Sequence, residues 1–204
     1  MGRVSKVPTL VFIAELVRMP AQLFSIGHST HPLEEFVALL TRHGIEVLAD
    51  IRRFPSSRKY PQFNQRELAA ALKGSGIEYV WCEDLGGRRP AAQQPSDRNA
   101  GLRNESFRNY ADYMETPAFE HAIQELLERT GERKTALMCS ESVFWRCHRQ
   151  LVSDWLLAHG IVVQHIMPTG ELREHTLTRG GKIIERELCY PGSNPPPDLQ
   201  GRLF

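Results

Sequence analysis

Cys139-Ser140-Glu141, followed closely by Trp145-Arg146-Cys147-His148-Arg149, puts two thiols, a carboxylate, an imidazole and two guanidiniums in one short stretch. It falls between an apparent strand, 135–138, and an apparent helix over about 146–158. In an open α/β sheet ligands sit there, beyond the carboxyl ends of strands and beside helix N-termini. Two chemistries suit these residue types. A thiol facing helix amides and arginines has a lowered pKa and acts as a nucleophile, as in sulfurtransferases and cysteine phosphatases. The phosphatase cradle wants its arginine one residue sooner than Arg146, and Glu141 inside the loop would repel phosphate, so phosphatase chemistry is disfavoured. In the other chemistry Cys139, Cys147 and His148 are soft metal ligands, with His28 or Glu141 as a fourth and zinc as the candidate ion. The spacing is not that of a familiar zinc motif. A regulatory Cys139–Cys147 disulfide is a further option. Of the two thiols, Cys139 is expected to be the more reactive, because it ends a buried strand.

The elements that must position these residues alternate along the chain. Leu23–Ile26, Val47–Ile51, Ile77–Trp81, Thr135–Met138 and Ile161–Ile166 read as buried strands. Between them, Leu33, Phe36, Val37 and Leu40 mark one face of a helix over 33–43, with Ser29 or Thr30 as its cap. Further helices are expected over 65–73, 107–114 and 118–129, and a hairpin or edge strand over 179–190. Such alternation predicts an α/β fold: a single open, mostly parallel sheet of about five strands with helices on both faces. The long irregular stretch 83–104 is of a kind that is usually functional.

Parallel strands deliver their C-terminal ends to one edge. Here that edge receives His28, then Asp50 and Arg52, then Glu83 and Asp84, then Cys139 and Glu141. The loop after Asp50 adds Arg53, Arg58 and Lys59 interleaved with Phe54, Tyr60 and Phe63, and the next adds Gly86-Gly87-Arg88-Arg89. Guanidiniums beside glycine-exposed amides suit phosphate, and the aromatic rings suit stacking on bases. With a net charge of only +1 over 204 residues, this clustering favours a local anionic ligand rather than a general nucleic-acid or membrane field.

The four cysteines, Cys82, Cys139, Cys147 and Cys189, read as reduced thiols of a cytoplasmic protein in a chain of this size. Residues 1–20 read as an N-terminal extension. Its apolar run 7–17 is interrupted by Glu15 and too short to span a bilayer, and Met19 is an alternative start to Met1. Residues 21–190 read as the α/β domain and 191–204 as a proline-rich tail.

Five motifs in order, Phe24-Ser25-Ile26-Gly27-His28-Ser29-Thr30, Leu48-Ala49-Asp50-Ile51-Arg52 with Pro55-Ser56-Ser57-Arg58, Pro61-Gln62-Phe63-Asn64, Leu85-Gly86-Gly87-Arg88, and Cys139-x-Glu141 with Cys147-His148-Arg149, resemble the bacterial domain of unknown function 488 family. The resemblance runs from about Leu23 to Thr178. It implies a compact α/β domain but no reaction, and it carries over His28, Asp50, Arg52, Gly86, Gly87, Cys139, Glu141, Cys147, His148 and Arg149. The apolar turn Ser142-Val143-Phe144-Trp145 departs from the more polar family pattern and is expected to restrict solvent access.

The expectation is an enzyme acting on a phosphate-bearing substrate, a nucleotide or nucleic acid. His28, Arg52, Arg58, Gly86, Gly87, Arg88 and Arg149 would hold the substrate. Asp50, Glu141 and His148 would supply acid–base groups, and Cys139 a nucleophile or ligand. The rivals are a non-catalytic nucleic-acid-binding or regulatory module, a sulfurtransferase-like thiol enzyme, and a metal-binding domain.

Overall fold

A computed structural model describes residues 22–192 of the chain. The expected extension at 1–20 and all but the first two residues of the expected tail lie outside the described residues. β1 (Gln22–Gly27), β2 (Val47–Asp50), β3 (Glu78–Trp81), β4 (Thr135–Cys139) and β5 (Val162–Ile166) are the five expected strands, all parallel. A sixth, β6 (Leu172–Glu174), pairs antiparallel with β5 at the edge, giving the order β3-β2-β4-β1-β5-β6. The sheet is therefore mixed and six-stranded. β7 (Lys182–Ile184) and β8 (Glu187–Cys189) form a separate hairpin.

The central strands β1, β2 and β4 are buried on both sides, so their successive residues feed two cores. Phe24, Ile26, Leu48, Ala136 and Met138 pack with Phe36 and Leu40 of α1 (Leu33–Arg42) and Leu68 and Leu72 of α2 (Gln65–Gly74). Leu23, Ala49, Leu137 and Val163 point the other way. They meet Tyr110 of α3 (Glu105–Met114), Phe119 and Ile123 of α4 (Pro117–Thr130), and Leu151, Val152, Trp155 and Leu156 of α5 (Arg149–Ala158).

Side-chain caps start two of the five helices, α3 at Asn104 and α4 at Thr116. α4 starts at Thr116, whose hydroxyl accepts from the Phe119 amide, with Pro117 in its first turn. α1 is preceded by Pro32 and has no side-chain cap bond, so neither Ser29 nor Thr30 serves as the expected cap. Ser29 instead adopts a left-handed backbone, φ 46°, in the turn beyond β1.

Strand order creates the crevice. β1 and β4 are neighbours, yet β1 leads into α1 on one face and β4 leads into α5 on the other. Chains that part to opposite faces leave a cleft outside the strand ends.

Candidate active site

Gly27 and Cys139 sit opposite one another at the ends of β1 and β4, and the His28 amide donates to the Cys139 carbonyl at 3.0 Å. The chain after Cys139 then crosses directly over the end of β1. A Cβ at Gly27 would lie 1.9 Å from the Glu141 carbonyl oxygen, so only glycine admits this path. The crossing is held from behind by Arg149. Its guanidinium is buried and donates to the Glu141 carbonyl at 2.5 Å. Arg149 thus shapes the loop and lies outside the pocket lining, apart from the other residues expected to hold substrate.

The same loop delivers Cys147 and His148 later than the sequence pattern indicated. A 3₁₀ turn at Phe144–Arg146 comes first, Cys147 is extended, and the helix begins only at Arg149. Phe144 turns inward and stacks on His165 with centroids 3.6 Å apart, while Trp145 is exposed. Neither lines the pocket, so the apolar turn does not cover the site as expected.

At the floor, Cys147 Sγ lies 3.5 Å and Cys139 Sγ 4.0 Å from His148 Nδ1. On the far side of the ring, His148 Nε2 is 2.9 Å from the Ile51 carbonyl oxygen, which only accepts. Nε2 therefore carries a proton, and Nδ1 is the ring nitrogen turned toward both thiols. The thiols divide their roles. Burial alone would raise Cys147, but the hydrogen bond from Cys139 and the charge and amide of Arg149 outweigh it and bring it down to about 6. Its negative neighbour, followed by burial, pushes Cys139 up to about 12. The Arg149 amide donates to Cys147 Sγ at 3.5 Å, a contact Cys139 lacks, and this favours the negative charge on Cys147, whereas the sequence put Cys139 first.

Asp50 is fully buried and does not face the pocket. Its carboxylate accepts from Arg52 Nε at 2.8 Å, Arg52 Nη2 at 2.5 Å, the Arg52 amide at 3.0 Å and the Tyr79 hydroxyl at 2.6 Å. With both oxygens occupied it anchors Arg52, and the acid–base role expected of it has no free lone pair to act through. Arg52 in turn points Nη1 at His28 Nε2, 3.3 Å away, and His28 stacks on Phe63.

The pocket over this floor encloses about 600 Å³. Its lining carries Arg52, Arg53, Arg88 and Arg146 against one carboxylate, Glu141, which is exposed. It also carries Ser29, Thr30, Ser56, Ser57, Ser106, Ser140 and Ser142, with Phe54, Tyr60, Phe107 and Tyr110 as apolar wall. Of the expected residues, His28, Arg52, Gly87, Arg88, Cys139, Glu141, Cys147 and His148 come together here. Arg58 is exposed and outside the lining. Gly86 is a packing position, where a Cβ would strike the Arg53 backbone at 2.7 Å.

Two of these residues, Ser29 and Arg88 (φ 58°), have positive φ, a strain that tends to gather at functional sites. Sequence reasoning missed the hydroxyls, which are scattered over four segments, and it missed Tyr110, whose ring lies 5.1 Å from that of His148.

A scan against protein-family models matches residues 32–156, more than half the chain, to the Domain of unknown function DUF488. The chain belongs to this family. The matched span takes in the Asp50, Gly87 and Cys139–Arg149 motifs and leaves His28, at the same pocket, outside it. Searches of the curated proteins and of the solved structures found no match. No helix among the described residues is long and apolar enough to cross a membrane.

A second buried chain braces the site. The Ser25 hydroxyl lies 2.6 Å from His165 Nδ1, His165 Nε2 3.0 Å from His175 Nδ1, and His175 Nε2 2.8 Å from Asp154, which also accepts from the Tyr190 hydroxyl at 2.7 Å. Burial, followed by the His175 charge, pushes His165 down to about 2. Burial and then the Arg52 charge push His28 down to about 4. Both rings are neutral when folded and protonate near 6.5 when unfolded. Their contribution is complete above pH 6.5 and is lost as the pH falls, toward 4 for His28 and toward about 2 for His165. Each should cost on the order of 2 kcal/mol of stability between pH 7 and pH 5. Urea unfolding at the two pH values checks this, with a shallower fall expected in His28→Gln. Equal stability of the wild type at both would contradict it.

Proposed function

We propose that this chain is an enzyme acting on a phosphate-bearing substrate, a nucleotide or the end of a nucleic acid. One observation carries the reading. Arg53, Arg88, Arg146 and the Asp50-paired Arg52, with seven serine and threonine hydroxyls, face a single exposed carboxylate in a pocket whose floor is a Cys–Cys–His group. Arginine and hydroxyl donors suit phosphate oxygens, and the exposed ring of Phe54 beside Arg53 suits a base. The floor group would be the reacting group, with Cys147 acting on the substrate and His148 Nδ1 as proton acceptor. All four cysteines are free, which fits a reducing, cytoplasmic setting.

Binding of a short 5′-phosphorylated oligonucleotide across a salt series tests the arginine rim. Arg88→Ala and Arg146→Ala should each weaken it about tenfold or more. Each should also reduce the slope of log affinity against log salt by about 0.7. Unchanged affinity in both would remove the phosphate reading. The exposed Phe54 and Trp145 favour a second reading, a nucleic-acid-binding module without catalysis. It would be supported by tight, salt-dependent binding with no turnover of any nucleoside 5′-phosphate or oligonucleotide.

A further inference from the structure

The floor group has a geometry that thiol chemistry alone does not require. The two Sγ atoms and His148 Nδ1 all lie within 4.8 Å of one another, the kind of closeness three ligands of one ion need. Around a tetrahedral zinc, Zn–S bonds near 2.3 Å and Zn–N bonds near 2.0–2.1 Å place sulfur and nitrogen about 3.6 Å apart. The observed separations from Nδ1 are 3.5 Å and 4.0 Å.

The surroundings are those of a ligand set. The Ile51 carbonyl fixes the His148 tautomer from the far side, as the partner of a metal-bound histidine does. The Arg149 amide donates to Cys147 Sγ at 3.5 Å, a bond that steadies a coordinating thiolate. Gly87 borders Nδ1, and a Cβ there would stand 2.8 Å from it. Space an ion would use is thus kept open by the absence of a side chain.

We infer that Cys139, Cys147 and His148 form a zinc site whose fourth position opens into the arginine-rimmed pocket. Three protein ligands with an open position is the arrangement of a catalytic rather than a structural zinc. Glu141, exposed at the mouth of the pocket, leaves that position to substrate or water. With zinc bound, Cys147 and His148 Nδ1 are ligands and no longer a free nucleophile and base, so the site would replace that part of the proposed function, while the phosphate reading of the arginine rim stands apart from it.

The test uses the full chain, stripped of metal by chelator under reducing conditions and titrated with zinc chloride. Elemental analysis after gel filtration should find about one zinc per chain. Cys139→Ser, Cys147→Ser and His148→Gln should each weaken binding more than about 100-fold, with unfolding curves checking that they fold.

Should a variant fail to fold, alkylation of the wild-type chain decides. Zinc should protect Cys139 and Cys147 while leaving Cys82 and Cys189 at their metal-free rates. Less than about a tenth of an equivalent of zinc would overturn the site. So would bound zinc that leaves alkylation of Cys139 and Cys147 unchanged. Inorganic phosphate binding, measured on the metal-free chain, keeps the two readings separate: either can fail while the other stands.

Discussion

Replacing Asp50 with alanine is expected to destabilise the chain by about 3–5 kcal/mol, although Asp50 does not touch the pocket. The carboxylate and the Arg52 guanidinium are both buried and joined by several charge-assisted bonds. Removing the acid leaves a guanidinium with one carbonyl, that of Phe63, and the neutral His28 for company. The Tyr79 hydroxyl loses its acceptor as well. The cost comes from the stranded charge, so taking both partners away should cost less. Asp50→Leu with Arg52→Met is expected to be more stable than Asp50→Ala alone, while losing affinity for phosphate. Chemical unfolding of the three proteins measures this. A loss below about 1 kcal/mol in Asp50→Ala would mean that the pair is not buried as described.

Cys147→Ser is expected to lower turnover by roughly 10³-fold or more while leaving the affinity for inorganic phosphate within about twofold. The split follows from the layout of the pocket. The thiol lies on the floor, whereas Arg53 and Arg88 belong to other segments of the lining and Arg146 sits in the 3₁₀ turn before Cys147. A hydroxyl in place of the thiol has no comparable anion near neutral pH, because its proton is far harder to remove. Turnover is to be followed on a panel of nucleoside 5′-phosphates and short oligonucleotides. Equal loss of phosphate binding and turnover would mean that Cys147 holds the loop together rather than reacting.

Much of the sheet could be read from the sequence because its strands are short, apolar and bounded by glycine. Gly44 and Gly76, both with positive φ, stop α1 and α2 where the helical spacing of Leu33–Leu40 and Leu68–Leu72 runs out. β6 escaped because Leu172–Glu174 is three residues long and exposed throughout, with no apolar alternation to read. The convergence of His28, Arg52 and Cys139 was legible because parallel strands share an edge.

Which residues face the pocket was not legible. Asp50 is withdrawn by Tyr79, a residue of the neighbouring strand, and Arg149 is turned inward by a carbonyl eight residues earlier in its own loop. The helix start also shifted from about Arg146 to Arg149, after a 3₁₀ turn whose Phe144 stacks on His165. That shift frees Cys147 from the helix and places it against Cys139. There the Arg149 amide can donate to its sulfur.

The account rests on the thiolate and the arginine rim belonging to one substrate site. The most direct measurement is the rate of alkylation of each cysteine in the metal-free chain near pH 7, read by peptide mass. It is made with and without a saturating 5′-phosphorylated oligonucleotide. Cys147 should be modified first, and the oligonucleotide should slow it about tenfold, with the protection lost at high salt. Modification of all four cysteines together and only at alkaline pH would contradict the account. So would a Cys147 rate indifferent to the oligonucleotide.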